Sequence, residues 1–271
     1  MKPPARWADL RPRVISGGAL ALIGSVAVGL GGAWFAGVTS VATGLMMWEL
    51  ASMLGAGRKA LIAGALGAGA ILAALAARVV AAPFEIALLL AVAGAVTALV
   101  PRDRLICLAY GLAVLLAADG LADFRDENGG PWLFWLIVVV ITTDIAGYFG
   151  GRLIGGPKFW PRVSPKKTWS GTVAGWIGAA AVGALFARYT SAGLGLIWIS
   201  AVLSLASQMG DITESAIKRR AGVKDSSHLI PGHGGLLDRF DGLLGAALAM
   251  LVFSVFVPVP VIGLLAPVAG H

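Results

Sequence analysis

The chain has 271 residues, 58% of them hydrophobic and only 13% charged, with a formal net charge of +7 and a mean hydropathy of +0.86. That balance excludes an ordinary soluble globular domain. Apolar stretches near the length that crosses a hydrocarbon core recur along the chain, so the expected fold class is all-α, a polytopic integral membrane protein whose helices satisfy their own backbone in lipid.

Nine spans are expected, at 13–30, 33–54, 60–81, 84–100, 104–120, 131–151, 171–188, 193–214 and 241–264. Eight is the alternative, because two boundaries rest only on Gly31 and Gly32 and on Pro83 and Glu85. The first stretch is basic and then apolar, like a signal peptide, but with eight more behind it an uncleaved helix is the better reading. Lys and Arg are retained on the cytoplasmic side. With the N-terminus cytoplasmic, eighteen of the 21 cations fall inside and only Arg78, Arg125 and Arg188 outside, which suits an odd number of spans. The positive charge then reflects topology and an anionic leaflet or substrate, and no nucleic acid is implied.

In chain order, Glu49 stands near the inner end of the second stretch, two turns from Arg58 and Lys59, and is read as an interfacial residue, with a site residue as the alternative. The small residues of "GALGAGA" at 64–70 suit close helix packing rather than a nucleotide loop. Lone Cys107 is a packing residue with no metal-site spacing. The acidic "ADGLADFRDENGG" at 118–130 is expected as a solvated outer loop, and Trp132 and Trp135 after it as part of the outer aromatic belt. Residues 1–130 are thus read as a scaffold for dimer and lipid contacts. Residues 131–271 are read as the catalytic part, with cytoplasmic loops 151–170 and 215–240.

The second half gathers Asp144, Asp211, Glu214, Asp225, Asp238 and Asp241 towards the inner side. Ionisable groups inside a span mark function by default. In "LLDRFDG", Asp238 and Asp241 are three apart at a helix start, so their carboxylates share a face that suits a divalent cation. In "SQMGDITESAIKRR", Asp211 and Glu214 sit above Lys218, Arg219 and Arg220; Asp211 lies deeper and needs a cation partner. The loop "GRLIGGPKFWPRVSPKKTWSGT" at 151–172 reads as an anion cradle, though not a P-loop, or as a basic loop held by lipid head groups. The glycines of "PGHGG" would let backbone approach phosphate, while His228 and His233 are poorly spaced for zinc. Together these features ask for a cytoplasm-facing site holding Mg²⁺ and several phosphates where a lipid head group can reach.

The run S-x-x-K-R-x4-K-D-x5-P-x-H-G-G-x-x-D-R-x-D from Ser215 to Asp241 resembles the C-terminal motif of the phosphatidate cytidylyltransferase (CDP-diacylglycerol synthase) family at every fixed position. The resemblance reaches back through Gly210 and Asp211, then Ser164, Pro165, Lys167 and Thr168, to Asp144 and Tyr148. Gly147 and Ser170 depart from the Ala and Glu that family members often carry there. The resemblance implies an inner-membrane homodimer that converts phosphatidate and CTP to CDP-diacylglycerol and pyrophosphate. It also implies Asp211, Asp238 and Asp241 as ligands of Mg²⁺, with a second cation such as K⁺ as companion. On that basis Lys167, Lys218, Arg219 and Lys224 would hold phosphates and His233 would lie near the pyrophosphate. Asp144, Ser164, Thr168, Asp225, Gly234, Gly235 and Arg239 complete the expected substrate site. The rivals are a CTP-dependent enzyme acting on another membrane lipid and, in a different class, a cation transporter relaying through Asp144 and Asp211.

Overall fold

A computed structural model describes residues 10–77 and 83–256. Lys2, Arg6, Arg78, the side chains of Arg11 and Arg13, and the ends 78–81 and 257–264 of two expected spans lie outside it.

Among the described residues the helices are α1 (Leu10–Leu30), α2 (Gly32–Met53), α3 (Ala60–Ala77), α4 (Pro83–Leu99), α5 (Arg104–Asn128), α6 (Gly130–Leu153), α7 (Trp169–Tyr189), α8 (Gly195–Arg220) and α9 (Leu237–Phe256). Each expected hydrophobic stretch contains one of them. Five segments, Gly57–Ala74, Arg104–Asn128, Gly130–Leu153, Trp169–Tyr189 and Gly195–Arg220, are long and apolar enough to cross a membrane; Val14–Leu30 and Phe84–Leu99 are shorter apolar helices. Large aliphatic and aromatic side chains such as Leu61, Ile177, Leu185 and Trp198 are exposed on outward faces, as a membrane protein requires and a soluble one avoids. Some hydroxyls within the helices are satisfied locally: Thr43 Oγ donates to the Thr39 carbonyl and Thr97 Oγ to that of Ala93.

Small residues set the helix spacing. A Cβ on Gly44 of α2 would lie 2.8 Å from the Gly64 carbonyl of α3, and one on Gly171 of α7 would lie 2.5 Å from the Gly147 carbonyl of α6. At the α8–α9 crossing a Cβ on Gly210 would lie 2.3 Å from the Asp241 carbonyl. Helices can approach this closely only where no side chain intervenes.

Two expectations are corrected here. The acidic 118–130 segment is no loop: α5 runs on to Asn128 and buries Asp119. Trp132 and Trp135 are no interfacial belt. Both are fully buried in a T-shaped pair 5.7 Å apart, and Trp135 Nε1 donates to Ser200 Oγ of α8 at 3.2 Å. For Trp135, burial with a partner for the indole N–H outweighs the general preference of Trp for membrane interfaces; Trp132 Nε1 is buried with no hydrogen-bond partner among the described residues.

Contacts between helix ends sort them into two sets. The Arg125 guanidinium, late in α5, donates to the Val28 carbonyl near the end of α1. At the other end of the bundle, the start of α1, the end of α2, the residue before α5, the end of α8 and the start of α9 meet through Ser16–His233, Glu49–Leu237 and Asp103–Arg220 contacts. This second end carries the site.

The two expected loops differ in character. Within 151–170, β1 (Lys158–Trp160) pairs antiparallel with β2 (Ser164–Thr168), with Lys158 opposite Thr168. The strand pair runs straight into α7, whose N-cap is Thr168, its Oγ accepting from the Gly171 N–H at 3.2 Å. Residues 215–220 continue α8, so the second connection is the shorter stretch between Arg220 and Leu237.

Candidate active site

A cavity of about 530 Å³ opens between α6, β2, α7 and α8. On α6, Asp144, Tyr148 and Arg152 recur at four-residue spacing and so share the face that lines it. Tyr148 Oη accepts from Arg152 at 2.5 Å. The strand contributes Lys166, Lys167 and Thr168, and α8 contributes Gln208 and Asp211. Gln208 is fixed by accepting from Trp176 Nε1 at 3.0 Å and donating to the Thr172 carbonyl at 3.2 Å.

The cavity has acid and cation in contact. Lys167 Nζ pairs with Asp211 Oδ2 at 2.5 Å and donates to the Gln208 carbonyl at 3.4 Å; Ser215 Oγ donates to Asp211 Oδ1 at 3.3 Å. Asp144 lies in the fields of Asp211, Lys167 and Arg239. Asp241, across the α8–α9 crossing, feels the charges of Asp211 and Asp144. Its Oδ1 accepts from the Gly242 N–H at 2.7 Å. Asp144 and Asp211 line this cavity, whereas Asp241 lines a separate one with Met209 and Gly210; Lys167 is the one cation, among the described residues, in an ion pair with any of the three. Carboxylate oxygens suit a hard divalent cation, for which Asp211 and Asp241 are the candidate ligands.

Asp238 is engaged differently. Its Oδ1 accepts from Lys218 Nζ at 2.5 Å, and its Oδ2 accepts from Ser226 N–H at 2.8 Å, Ser226 Oγ at 2.9 Å and Gly235 N–H at 2.8 Å. Both oxygens are occupied by protein donors, so Asp238 fits a ligand role less well than its neighbours do. Lys218 also pairs with Glu214, whose side chain is fully buried and has that ion pair as its contact. The three carboxylates that do converge within 4.8 Å, among the described residues, are Glu85, Asp119 and Asp123, at the other end of α5 and away from the cavity.

The remaining expected residues divide. Ser164 begins β2 and pairs with Trp160 rather than lining the cavity. Arg219 is exposed and donates to the Val223 carbonyl, and Arg239 clasps the His233 carbonyl through Nε and Nη2 at 2.9 and 2.7 Å. Lys224 and Asp225 are exposed on the connection before α9. His233 Nδ1 is 2.7 Å from Ser16 Oγ of α1, and Gly17 of the same helix lies under its ring. Gly234 has φ of 83°, in the left-handed region, and a Cβ there would meet Asp238 Oδ2 at 2.7 Å. A Cβ on Gly235 would fall 2.0 Å from Ser226 Oγ and 2.4 Å from Glu49 Oε1. These glycines thus admit carboxylates of the protein itself.

Of the two readings of Glu49, interfacial residue and site residue, its surroundings favour the second. It is completely buried, and its carboxylate accepts from Ser226, Ser227, Leu236 and Leu237. The available signal was an acid within an apolar helix with no cation one turn away on either side. Ser170 donates to the Gly155 carbonyl at 2.5 Å and ties the connection between α6 and β1 to α7.

Fold and site together define a helical membrane protein whose site end holds carboxylates and lysines in mutual contact. The chain belongs to the cytidylyltransferase family, whose model matches residues 11–257. It is 46% identical over 142 residues to the phosphatidate cytidylyltransferase of Brucella suis biovar 1 (strain 1330), covering 51% of this chain and 53% of that one. Identity to the phosphatidate cytidylyltransferase of Bacillus subtilis (strain 168) is 41% over 122 residues, covering 44% and 45%. To that of Mycobacterium bovis (strain ATCC BAA-935 / AF2122/97) it is 37% over 150 residues, covering 53% and 48%. The matched segment thus spans about half the length of these curated relatives.

Proposed function

We propose that the protein transfers a cytidylyl group from CTP to phosphatidate, giving CDP-diacylglycerol and pyrophosphate. The observation that carries this reading is the cavity in which Lys167 touches Asp211 beside Asp144, Lys166 and Arg152, in a chain of the cytidylyltransferase family. Kinships with phosphatidate cytidylyltransferases supply the lipid acceptor.

A phosphate oxygen of phosphatidate attacks the α-phosphorus of CTP; a new P–O bond forms and the bond from the α-phosphorus to the bridging oxygen breaks, releasing pyrophosphate. A phosphate monoester with a second pKa near 6 is largely dianionic at neutral pH, so no strong base is needed. Asp211 and Asp241 would hold Mg²⁺, and K⁺ suits the same oxygen-rich surroundings as a companion ion. The metal supplies charge neutralisation of the transferring phosphoryl group. Lys166, Lys167 and Arg152 would bind phosphate oxygens, Lys167 exchanging its carboxylate partner Asp211 for the nucleotide. Lys218 and Asp238 hold the start of α9 against α8. Lys224 and Arg219, both exposed, attract anionic substrate.

In the same reading all nine described helices span the inner membrane, with the N-terminus and the site on the cytoplasmic face, and the protein works as a homodimer. The helix-end contacts support this topology: Arg125 and Arg188 fall at the end of the bundle opposite the site. The test is pyrophosphate release by purified protein in detergent with Mg²⁺, CTP and phosphatidate, beside Asp241→Asn. Release that needs both substrates and is lost in the variant is expected; release with another lipid but not phosphatidate would reassign the acceptor.

A further inference from the structure

We infer that Glu49, as a carboxylate, is a positioning residue of the site: from α2, in the half of the chain read as scaffold, it fixes the start of α9 and the 226–237 connection. Its kinetic consequence rests on the cytidylyl-transfer reading; the anchor itself does not.

Each oxygen of Glu49 has one backbone donor and one hydroxyl beside it. Oε1 accepts from Leu236 N–H at 2.8 Å and Ser227 Oγ at 2.6 Å; Oε2 accepts from Leu237 N–H at 2.7 Å and lies 3.3 Å from Ser226 Oγ, whose single proton is shared with Asp238 Oδ2 at 2.9 Å. The Leu237 N–H belongs to the first turn of α9, where helical donors lack partners within the helix, and the Leu236 N–H immediately precedes it. A local Ser or Asp could cap such an end. Here the acceptor comes from a helix almost 190 residues away in the chain, so the placement of α2 is imposed on α9. Asp241 lies one turn beyond Leu237 and inherits that placement. Asp238 is tied to the same point through Ser226, whose Oγ lies 2.9 Å from its Oδ2, and Asp238 in turn holds Lys218.

The chemistry demands a carboxylate. Two backbone N–H groups, one on each oxygen, can be met only by two acceptors, whereas an amide offers one acceptor and one NH₂ that would face an N–H. Gln has the right volume and the wrong polarity. Gly235 belongs to the same arrangement, since a side chain there would occupy the position of the Glu49 carboxylate.

The test uses the full chain in detergent with Glu49→Gln, Glu49→Asp and Ser227→Ala. Three quantities are read: kcat and KM for CTP, the Mg²⁺ concentration giving half-maximal rate, and the rate of tryptic cleavage after Lys224 under native conditions. For Glu49→Gln a kcat loss of about 10–100-fold is expected, the scale of a misplaced reacting group. The half-saturating Mg²⁺ should rise and cleavage after Lys224 should accelerate, with KM for CTP little changed. Glu49→Asp recovers part of each. Ser227→Ala keeps the carboxylate and both N–H contacts and shifts the same three readouts less. Wild-type Mg²⁺ dependence and wild-type cleavage in Glu49→Gln overturn the inference. If that variant fails to fold, unchanged Mg²⁺ dependence and cleavage in Ser227→Ala overturn it. A wild-type protein that releases no pyrophosphate would refute the proposed activity while the proteolysis still decides the anchor.

Discussion

Lys218 is the cation on which two buried acids depend, and replacing it by Met isolates that dependence. Its side chain is 10% exposed, that of Glu214 is not exposed at all, and that of Asp238 is 6% exposed. Met keeps the apolar stem and removes the ammonium. Asp238 would retain its three donors from Ser226 and Gly235, but Glu214 would lose the ion pair that is its contact. One charge is stranded rather than two, and breaking one buried pair costs about 3–5 kcal/mol. At about 2–4 °C per kcal/mol for a chain of this size, the melting temperature in detergent should fall by roughly 10 °C. The assay is thermal unfolding of the purified variant beside Glu214→Gln and the double variant Lys218→Met/Glu214→Gln. The double variant, which leaves no unpaired buried charge at Glu214, should recover much of the loss. A Lys218→Met protein within about 1 kcal/mol of wild type would refute the reasoning, as would a double variant no better than the sum of the singles.

Asp211→Asn and Asp241→Asn should each lower pyrophosphate release at least about a hundredfold, since a metal supplies several kcal/mol of transition-state stabilisation. Chelation should abolish release and added Mg²⁺ restore it, which is read by titrating EDTA against the metal. Lys167→Ala removes a charged donor from the cavity and should raise KM for CTP roughly tenfold, the scale of one charge-assisted hydrogen bond; an unchanged KM would remove Lys167 from nucleotide binding. Gly235→Ala places a Cβ against Glu49 and Ser226 and should cost about 1–3 kcal/mol, measured as a lower melting temperature.

Much of the fold and site is legible in the residues, and the failures share a cause. Hydropathy locates the nine helices of the described residues because lipid-facing and core-facing side chains are both apolar, so length and punctuation decide. The acids from Asp144 to Asp241 are legible as a site because a charge inside an apolar helix is costly unless a partner or ligand compensates it. Hydropathy cannot separate the two fates of an acid at a helix end. Composition puts Asp119 and the 118–130 segment in water, yet α5 extends through them because helix continuation satisfies the backbone while Asp119 turns inward. Trp132 and Trp135 have the composition of a membrane interface, and only the position of Ser200 on α8 shows that one indole has a buried partner. Glu49 and the glycines of "PGHGG" look unrelated in sequence, one an interfacial acid and the others room for phosphate. Their relation is a contact between residues far apart in the chain, which no local pattern encodes.

The most direct measurement follows the phosphorus. Purified protein with phosphatidate, Mg²⁺ and CTP labelled at either the α- or the γ-phosphorus is extracted into organic solvent, and the label in the lipid phase is counted. Cytidylyl transfer puts the α-label into lipid and leaves the γ-label in water as pyrophosphate. Lipid carrying the γ-label, or no label from either nucleotide with folded protein, would contradict the account.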